Sequence, residues 1–420
     1  MSVVRGDAAP SSAAALPGAV TLLSTVAVRE RCGRILEAAR AGCARWFELD
    51  EARLDDAADL VAAVTRRRYP DLRVPYHSRW RHFEAGGADR VAAMEAAAGA
   101  SLADPAERAR ARIDLAVVSV LLDAGAGAAW RFEDRASGTT LGRSEGLGVA
   151  SLRAFETGLF SSDPRHPWRA DAAGLARVDA AALGAAFQVS AANPLVGLDG
   201  RVALLRRLGE ALAARPEVFG AAARPGGLFD ALRPDGAARL AAHDLLVALL
   251  TTLGGIWPQG ARIGGLAVGD AWRHPLAGGE GETAGWVPFH KLSQWLCYSL
   301  LEPFESAGVA VDGLDALTGL AEYRNGGLLV DAGVLRPRDP SAFASPLPPG
   351  AEPVVEWRAL TVALVDALAP KVRARLGADA RAMPLAAVLE GGTWAAGREL
   401  AAARRGGEPP FAIASDGTVF

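Results

Sequence analysis

Only two of the 45 Lys plus Arg residues in this chain are lysines, Lys291 and Lys371. An ammonium is a compact point charge whose pKa moves on burial, whereas a guanidinium is a planar fork that stays charged. A position that keeps lysine in an arginine background is therefore a candidate for proton or charge chemistry. Lys371 follows Pro370 in an arginine-rich stretch and is expected on a solvated surface. Lys291 sits among Phe289, Leu292, Trp295 and Leu296. At helical spacing Lys291, Gln294, Trp295, Tyr298 and Glu302 share one face of the segment from Val287 to Pro303, opposite Phe289, Leu292, Leu296 and Leu300. Downstream, Glu322, Tyr323, Arg324 and Asn325 crowd against Gly326 and Gly327, a pair that lets backbone approach a ligand; a capped turn with solvated charges is the plain alternative. A buried carboxylate held ionised by an ammonium is the arrangement that stabilises or attacks a sugar cation, and Glu322 with Lys291 fits it.

Two further segments could bind or react. YHSRWRHFEAGGADR, from Tyr76 to Arg90, holds two histidines, three arginines and three aromatic rings, a mixture that suits a phosphate or a planar ligand and equally suits a solvated helix-to-loop junction. His77 and Arg79 are its candidate ligand-binding residues. GRSEG, Gly142 to Gly146, matches G-x-S-x-G, but a nucleophile elbow needs a strand just before the serine and ASGTTL looks like a polar loop. Ser144 is expected instead to cap a helix, with Arg143 and Ser144 at a polar surface. Neither lysine follows a glycine, which excludes a Walker A loop, and no G-x-G-x-x-G behind a strand and no H-E-x-x-H is present. The six histidines are scattered, so no metal is expected.

The elements that must position these groups look helical. In GLDGRVALLRRLGEALAARPEVFG, Leu198, Val202, Leu205, Leu208 and Leu212 form one stripe. VEWRALTVALVDALAPKVRARLG repeats the pattern, with a kink or an end expected at Pro370. Helices are also expected over 113–122 and 240–253. Gly- and Pro-rich stretches at 215–227, 254–285 and 336–353 are expected as loops within one assembly, and the tail could form a hairpin at Asp416 and Gly417. Strands do not alternate with helices, so a doubly wound sheet is disfavoured. The fold class is mainly α: a single large helical domain with at most short β segments over 30–420, behind a partly flexible segment 1–29.

Composition narrows the function. With 420 residues, 50% of them hydrophobic, the chain can bury a sizeable core unaided. A net charge of −3 leaves no basic footprint for nucleic acid or an anionic membrane, and a small molecule is the expected partner. Cys32, Cys43 and Cys297 are odd in number with no C-x-x-C spacing, which points to packing residues in a reducing compartment. Pro10, Pro17 and Gly18 break the uncharged stretch 8–28, which suits neither a membrane span nor more than a loose imitation of a signal peptide. A cytoplasmic enzyme is expected.

Several long segments resemble the fungal and bacterial uracil-catabolism family, the Urc/Urg group: PYHSRWRHFEAGG, RSEGLGVASL, NPLVGLDGR, PFHKLSQWL, EYRNGG, LEGGTWAAGR and the terminal SDGTVF, covering the chain from about residue 30 to its end. A more distant resemblance is to the queuosine-salvage nucleotide N-glycosidases, in LLDAGAGAAW, NPLVGLDGRVALLRRLG, FHKLSQWL and LAEYR. That resemblance implies a mainly α fold similar to the helical DNA glycosylases. It carries the catalytic lysine onto Lys291 and the catalytic aspartate onto Glu322, one methylene longer.

Together the resemblances imply an N-glycosidase that cleaves a ribosylurea, as its 5′-phosphate, into urea and ribose 5-phosphate without a cofactor. Glu322 would stabilise the sugar cation, Lys291 would keep that carboxylate ionised, and Asp123 would bond ribose hydroxyls or assist the water. Arg324, Arg79 or Arg143 would hold the phosphate, Trp130, Trp295 or Trp394 would line the leaving group, and His77, Gln294, Tyr323 and Asn325 complete the expected binding set. A ureido amidohydrolase of the same pathway, or a non-catalytic nucleotide-binding protein, is the alternative.

Overall fold

Helices form where an apolar stripe of helical period follows a capping residue. In the computed structural model, which describes residues 17–414 except 124 and 259, the chain is mainly α with short strands only. α1 (Thr25–Arg40) starts behind Ser24, whose hydroxyl accepts the Ala27 amide at 3.2 Å. α2 (Arg53–Arg68) and α3 (Arg90–Ala98) precede α4 (Pro105–Leu121). Asp104 caps α4 through the amides of Ala106 and Glu107, and Pro105 takes the first helical position, where a missing N–H costs nothing. The other long helices are α5 (Arg143–Glu156), α6 (Leu198–Ala213), α7 (Ala242–Leu253), α8 (Lys291–Ser306), α9 (Tyr323–Asp331), α10 (Glu352–Leu376) and α11 (Trp394–Arg405).

The leucine stripe of α6 faces inward as its spacing predicts: Leu205, Leu208 and Leu212 are fully buried, each worth roughly 2 kcal/mol of apolar transfer. α10 does not end at Pro370, one of the two outcomes expected there: the helix runs through it to Leu376. The turns beyond the proline are pinned from outside, by Arg373 to Asp315 at 2.6 Å, Lys371 to Asp55 at 3.0 Å and Arg375 to Asp55 and Asp59. Those ion pairs, with buried Val372 and Leu376, offset the lost backbone hydrogen bond. Lys371 is thus a surface ion-pair residue, as expected.

The strands in chain order are β1 (Phe47–Leu49), β2 (Phe132–Asp134), β3 (Thr139–Leu141), β4 (Arg239–Ala241), β5 (Ala261–Ile263), β6 (Leu266–Gly269), β7 (Ala271–Arg273), β8 (Trp286–Pro288), β9 (Ala310–Asp312) and β10 (Leu335–Pro337). They pair two by two: β1 with β10, β2 with β3, β5 with β6 and β7 with β8 antiparallel, and β4 with β9 parallel. The stretch 254–285, expected as loop, therefore carries β5, β6 and β7. Its strands are too short for a periodic signal.

α10 packs against α1 and α2, α8 packs against α4, and α4 against α5. One hydrophobic core joins Ala19 to Phe411. Ala19, Leu22 and Val28 are fully buried, so the boundary drawn at residue 29 falls inside the packed structure. Residues 8–16 of the uncharged N-terminal stretch and the tail hairpin at Asp416 and Gly417 lie outside the described residues. Cys32 and Cys297 are packing residues, whereas Cys43 is exposed, contrary to expectation, because α1 ends just before it. Among the described residues no helix is long and apolar enough to cross a membrane.

Candidate functional site

The end of α4 and the starts of α5, α8 and α9 meet around a cavity of about 300 Å³. Asp123 and residues 125–128 line it from the first, Arg143, Ser144 and Leu147 from the second, Lys291 from the third, and Tyr323 and Arg324 from the fourth; residues 407–409 close one side. Three helix N-termini converge here; the first amides of α8 and α9 are taken by Asp270 and Glu322, which leaves the start of α5 as the helix end that favours negative charge on a ligand.

Lys291 is positioned by backbone that the sequence does not advertise. His290, just before α8, is left-handed at φ 50°, a conformation that costs a non-glycine residue of order 1 kcal/mol and recurs at functional sites. Its Nε2 bonds the Leu22 carbonyl at 2.7 Å. The Lys291 amide donates to Asp270 Oδ2 at 3.0 Å, and Asp270 is gripped by Arg358 through two bonds of 2.8 and 2.7 Å. The Lys291 ammonium itself makes no direct hydrogen bond to any described residue. Burial pushes its pKa below the ordinary lysine value, against the pull of Glu322 and then of Asp123.

Burial alone would raise the Asp270 carboxyl, but Arg358 and the Lys291 amide bring it down to about 2. A depressed carboxyl stabilises the fold above its ordinary pKa, and that contribution, roughly 2 kcal/mol, is lost as pH falls from about 4 towards 2. Asp270→Asn breaks the buried pair and is expected to cost about 3 kcal/mol at pH 7. Denaturant titration at pH 7 checks it; a loss below about 0.5 kcal/mol would show that Asp270 does not anchor α8.

Asp123 stands just beyond the end of α4, where Arg79 reaches it at 2.5 Å. Arg79 is fully buried, with Nε on the Ser119 hydroxyl at 2.6 Å and Nη1 also within 3.3 Å of the Ser144 carbonyl. Burial raises the Asp123 carboxyl, while Arg79 and the Ser144 hydroxyl work the other way. Glu322 is the cap of α9: Oε2 accepts the Arg324 amide at 2.8 Å and Oε1 the Asn325 amide at 2.6 Å. It is 7% exposed and does not line the cavity, but of the charges around Lys291 it acts on the ammonium most.

The other expected residues divide. Tyr323, Arg324, Arg143 and Ser144 line the cavity, and Arg79 acts behind Asp123. His77 and Trp394 line a different, larger cavity, which Arg143 also reaches. Gln294 does not face a ligand: it is fully buried, with Oε1 accepting from the amide and hydroxyl of Thr318. Asn325 is fully buried, its Nδ2 on the Leu320 carbonyl. Trp130 is packed on Phe187 and donates to its carbonyl at 3.0 Å, and Trp295 is wedged between Arg79 and His82. Both are core rings. Tyr298 and Glu302, on the same face of α8, bond Thr318 and the Ser78–Arg81 segment, so only Lys291 of that face reaches the cavity.

Gly326 and Gly327 serve packing and not a ligand, since a Cβ on Gly326 would fall 2.7 Å from the Trp357 indole and one on Gly327 3.3 Å from Pro410. The segment from Tyr76 to Arg90 is no solvated junction either: His77, Arg79, His82 and Arg90 are all buried. Around Ser144 a strand, β3, does precede the turn, and α5 begins at Arg143 behind Gly142, so Ser144 is not the cap. The left-handed residue is Arg143, φ 53°, and no histidine lines the cavity that Ser144 faces among the described residues. Asp270, Arg358 and Ser119 were not legible as site residues, because they act through contacts far apart in the chain.

These features define a class: a mainly α protein with a half-buried lysine and an arginine-held aspartate on the wall of one cavity, and a capping glutamate behind it. The chain belongs to the family described as a protein of unknown function (DUF1688), whose model matches residues 21–420. It is 39% identical over 406 residues to Protein urg3 of Schizosaccharomyces pombe, covering 95% of this chain and 98% of that protein. It is 38% identical over 412 residues to Uracil catabolism protein 4 of Lachancea kluyveri, covering 90% of this chain and 93% of the other.

Proposed function

We propose that the protein is a hydrolase of uracil catabolism that cleaves the N-ribosidic bond of a ribosylurea 5′-phosphate to urea and ribose 5-phosphate. The observation that carries this reading is the half-buried Lys291 side chain at the cavity wall, which Asp123 also lines and on which Glu322 exerts the largest opposing charge. The pathway comes from the relative named for uracil catabolism.

In the reaction the ring oxygen pushes electron density towards C1, the C1–N bond breaks and its electron pair leaves on nitrogen. Urea is a poor leaving anion, so that nitrogen must receive a proton. Lys291, with its pKa lowered by burial, is the donor. Glu322 supplies the fixed negative charge that the sugar cation requires; with both oxygens already accepting amides, it acts as a charge and not as a nucleophile. Asp123 takes a proton from the water that adds to C1 and can also accept from a ribose hydroxyl. Arg324 and the start of α5 hold the phosphate. Each tenfold of rate asks about 1.4 kcal/mol of this arrangement.

Product analysis after incubation with ribosylurea 5′-phosphate tests the reading. Intact urea and a reducing sugar in equal amounts are expected. Ammonia or carbamate would replace the N-glycosidase by an amidohydrolase, and saturable binding with no turnover would replace it by a binding protein.

A further inference from the structure

Beyond Arg143 lies the second cavity, about 630 Å³, built mainly from residues of 77–86, 131–145 and 390–398; of its lining only Arg143 also reaches the first cavity. Its charge is unbalanced. Arg68 pairs with Glu390 at 3.0 Å, Arg81 with Glu302 at 2.7 Å and Arg398 with Glu145 at 2.8 Å. Arg131 has no carboxylate partner among the described residues and gives Nη1 to the carbonyls of Ala128 and Trp130, at 2.8 and 2.7 Å. The Arg143 side chain makes no hydrogen bond or ion pair with any described residue. These two guanidiniums flank Gly142, whose missing side chain leaves room for Arg131; a Cβ there would sit 3.1 Å from its Cδ.

The opposite wall is flat and aromatic. Trp394 carries the Arg398 guanidinium at 5.4 Å from its ring centroid, and the His77 ring lies 5.7 Å away, held by Glu390 at 2.9 Å. Glu390 belongs to a π-helical turn, residues 389–393, a geometry that is rare in structures and frequent at functional sites. His82, 7% exposed, also lines this cavity, and its Nδ1 is buried without a partner among the described residues. A buried polar atom left unpaired costs about 1–3 kcal/mol, which a bound ligand would recover.

We propose that this cavity is a second binding site, for a small phosphate monoester bearing a planar ring, of the nucleoside monophosphate class. Arg131 and Arg143 take the phosphate oxygens, the ring lies against Trp394, and His82 hydrogen-bonds the ring edge. The volume suits it, since small-ligand pockets run from about 300 to 1,000 Å³.

Equilibrium binding of uridine 5′-monophosphate to the full chain tests this, with uridine and inorganic phosphate as the partial probes. The nucleotide is expected to bind saturably and more tightly than either fragment. Arg131→Ala and Trp394→Ala should each weaken it about tenfold, for loss of a charge-assisted pair and of a stacking surface. Arg398→Ala, on the surface, provides a third variant should Trp394→Ala not fold, with a weaker loss of about threefold. Lys291→Met, in the other cavity, should leave the affinity within about twofold. Absence of saturable binding to the unaltered chain below about 5 mM would overturn the proposal. So would affinity that survives the Arg131 and Arg398 changes, or that disappears with Lys291→Met.

Discussion

Lys291→Met is expected to lower kcat/KM for ribosylurea 5′-phosphate by roughly a thousandfold or more, within the range for a positioned general acid, while the chain stays folded. Methionine keeps the length and apolar stem of the side chain and removes only the charge. Burial already disfavours that charge, so thermal stability is expected to hold or rise, with Tm no more than about 3 °C lower. Lys291→Arg is the companion: it restores positive charge beside Glu322 but presents a group that does not give up its proton. If the ammonium only held Glu322 ionised, arginine would rescue turnover. If it protonates the leaving nitrogen, arginine stays impaired.

The pH profile separates the two roles again. Lys291 must be protonated to act, so activity is present below its pKa and is lost as pH rises through it. Because burial lowers that pKa, the falling limb belongs below the ordinary lysine value of 10.5 and should vanish in Lys291→Arg. A limb unchanged in the arginine variant would assign it to another group.

How much of this was legible before any coordinates is uneven, for physical reasons. The α6 stripe and the mainly helical class follow from local periodicity, which a helix expresses wherever one face is buried. Lys291 stood out because its residue type is rare in the chain and its neighbours are apolar. Pro370 left the end of the helix open because the ion pairs that hold the last turns of α10 come from Asp55, Asp59 and Asp315, distant in sequence. The aromatic candidates misled for a related reason: a tryptophan at helical spacing looks the same whether it faces a cavity or, like Trp295, fills the space between Arg79 and His82. The grip of Asp270 and Arg358 on the start of α8 had no local signature at all.

Glu322→Gln is expected to cost roughly a thousandfold in kcat/KM with KM changed little, because a fixed charge aimed at the developing cation acts mainly in the transition state. The cap argues that the variant folds. Glutamine still offers one side-chain oxygen to the Asn325 or Arg324 amide, so α9 loses about 1 kcal/mol and not its start. Glu322→Asp makes the complementary test: aspartate is at least as good a cap, so the helix is preserved while the charge withdraws by one methylene. An intermediate loss for aspartate, near tenfold to a hundredfold, would tie turnover to where the charge sits and not only to its presence. Asp123→Asn sets the reference, since it alters the carboxylate that lines the cavity and leaves the one behind Lys291 in place. Turnover by Glu322→Gln at near the parent rate, with Asp123→Asn inactive, would move the cation-stabilising role to Asp123 and reduce Glu322 to a cap.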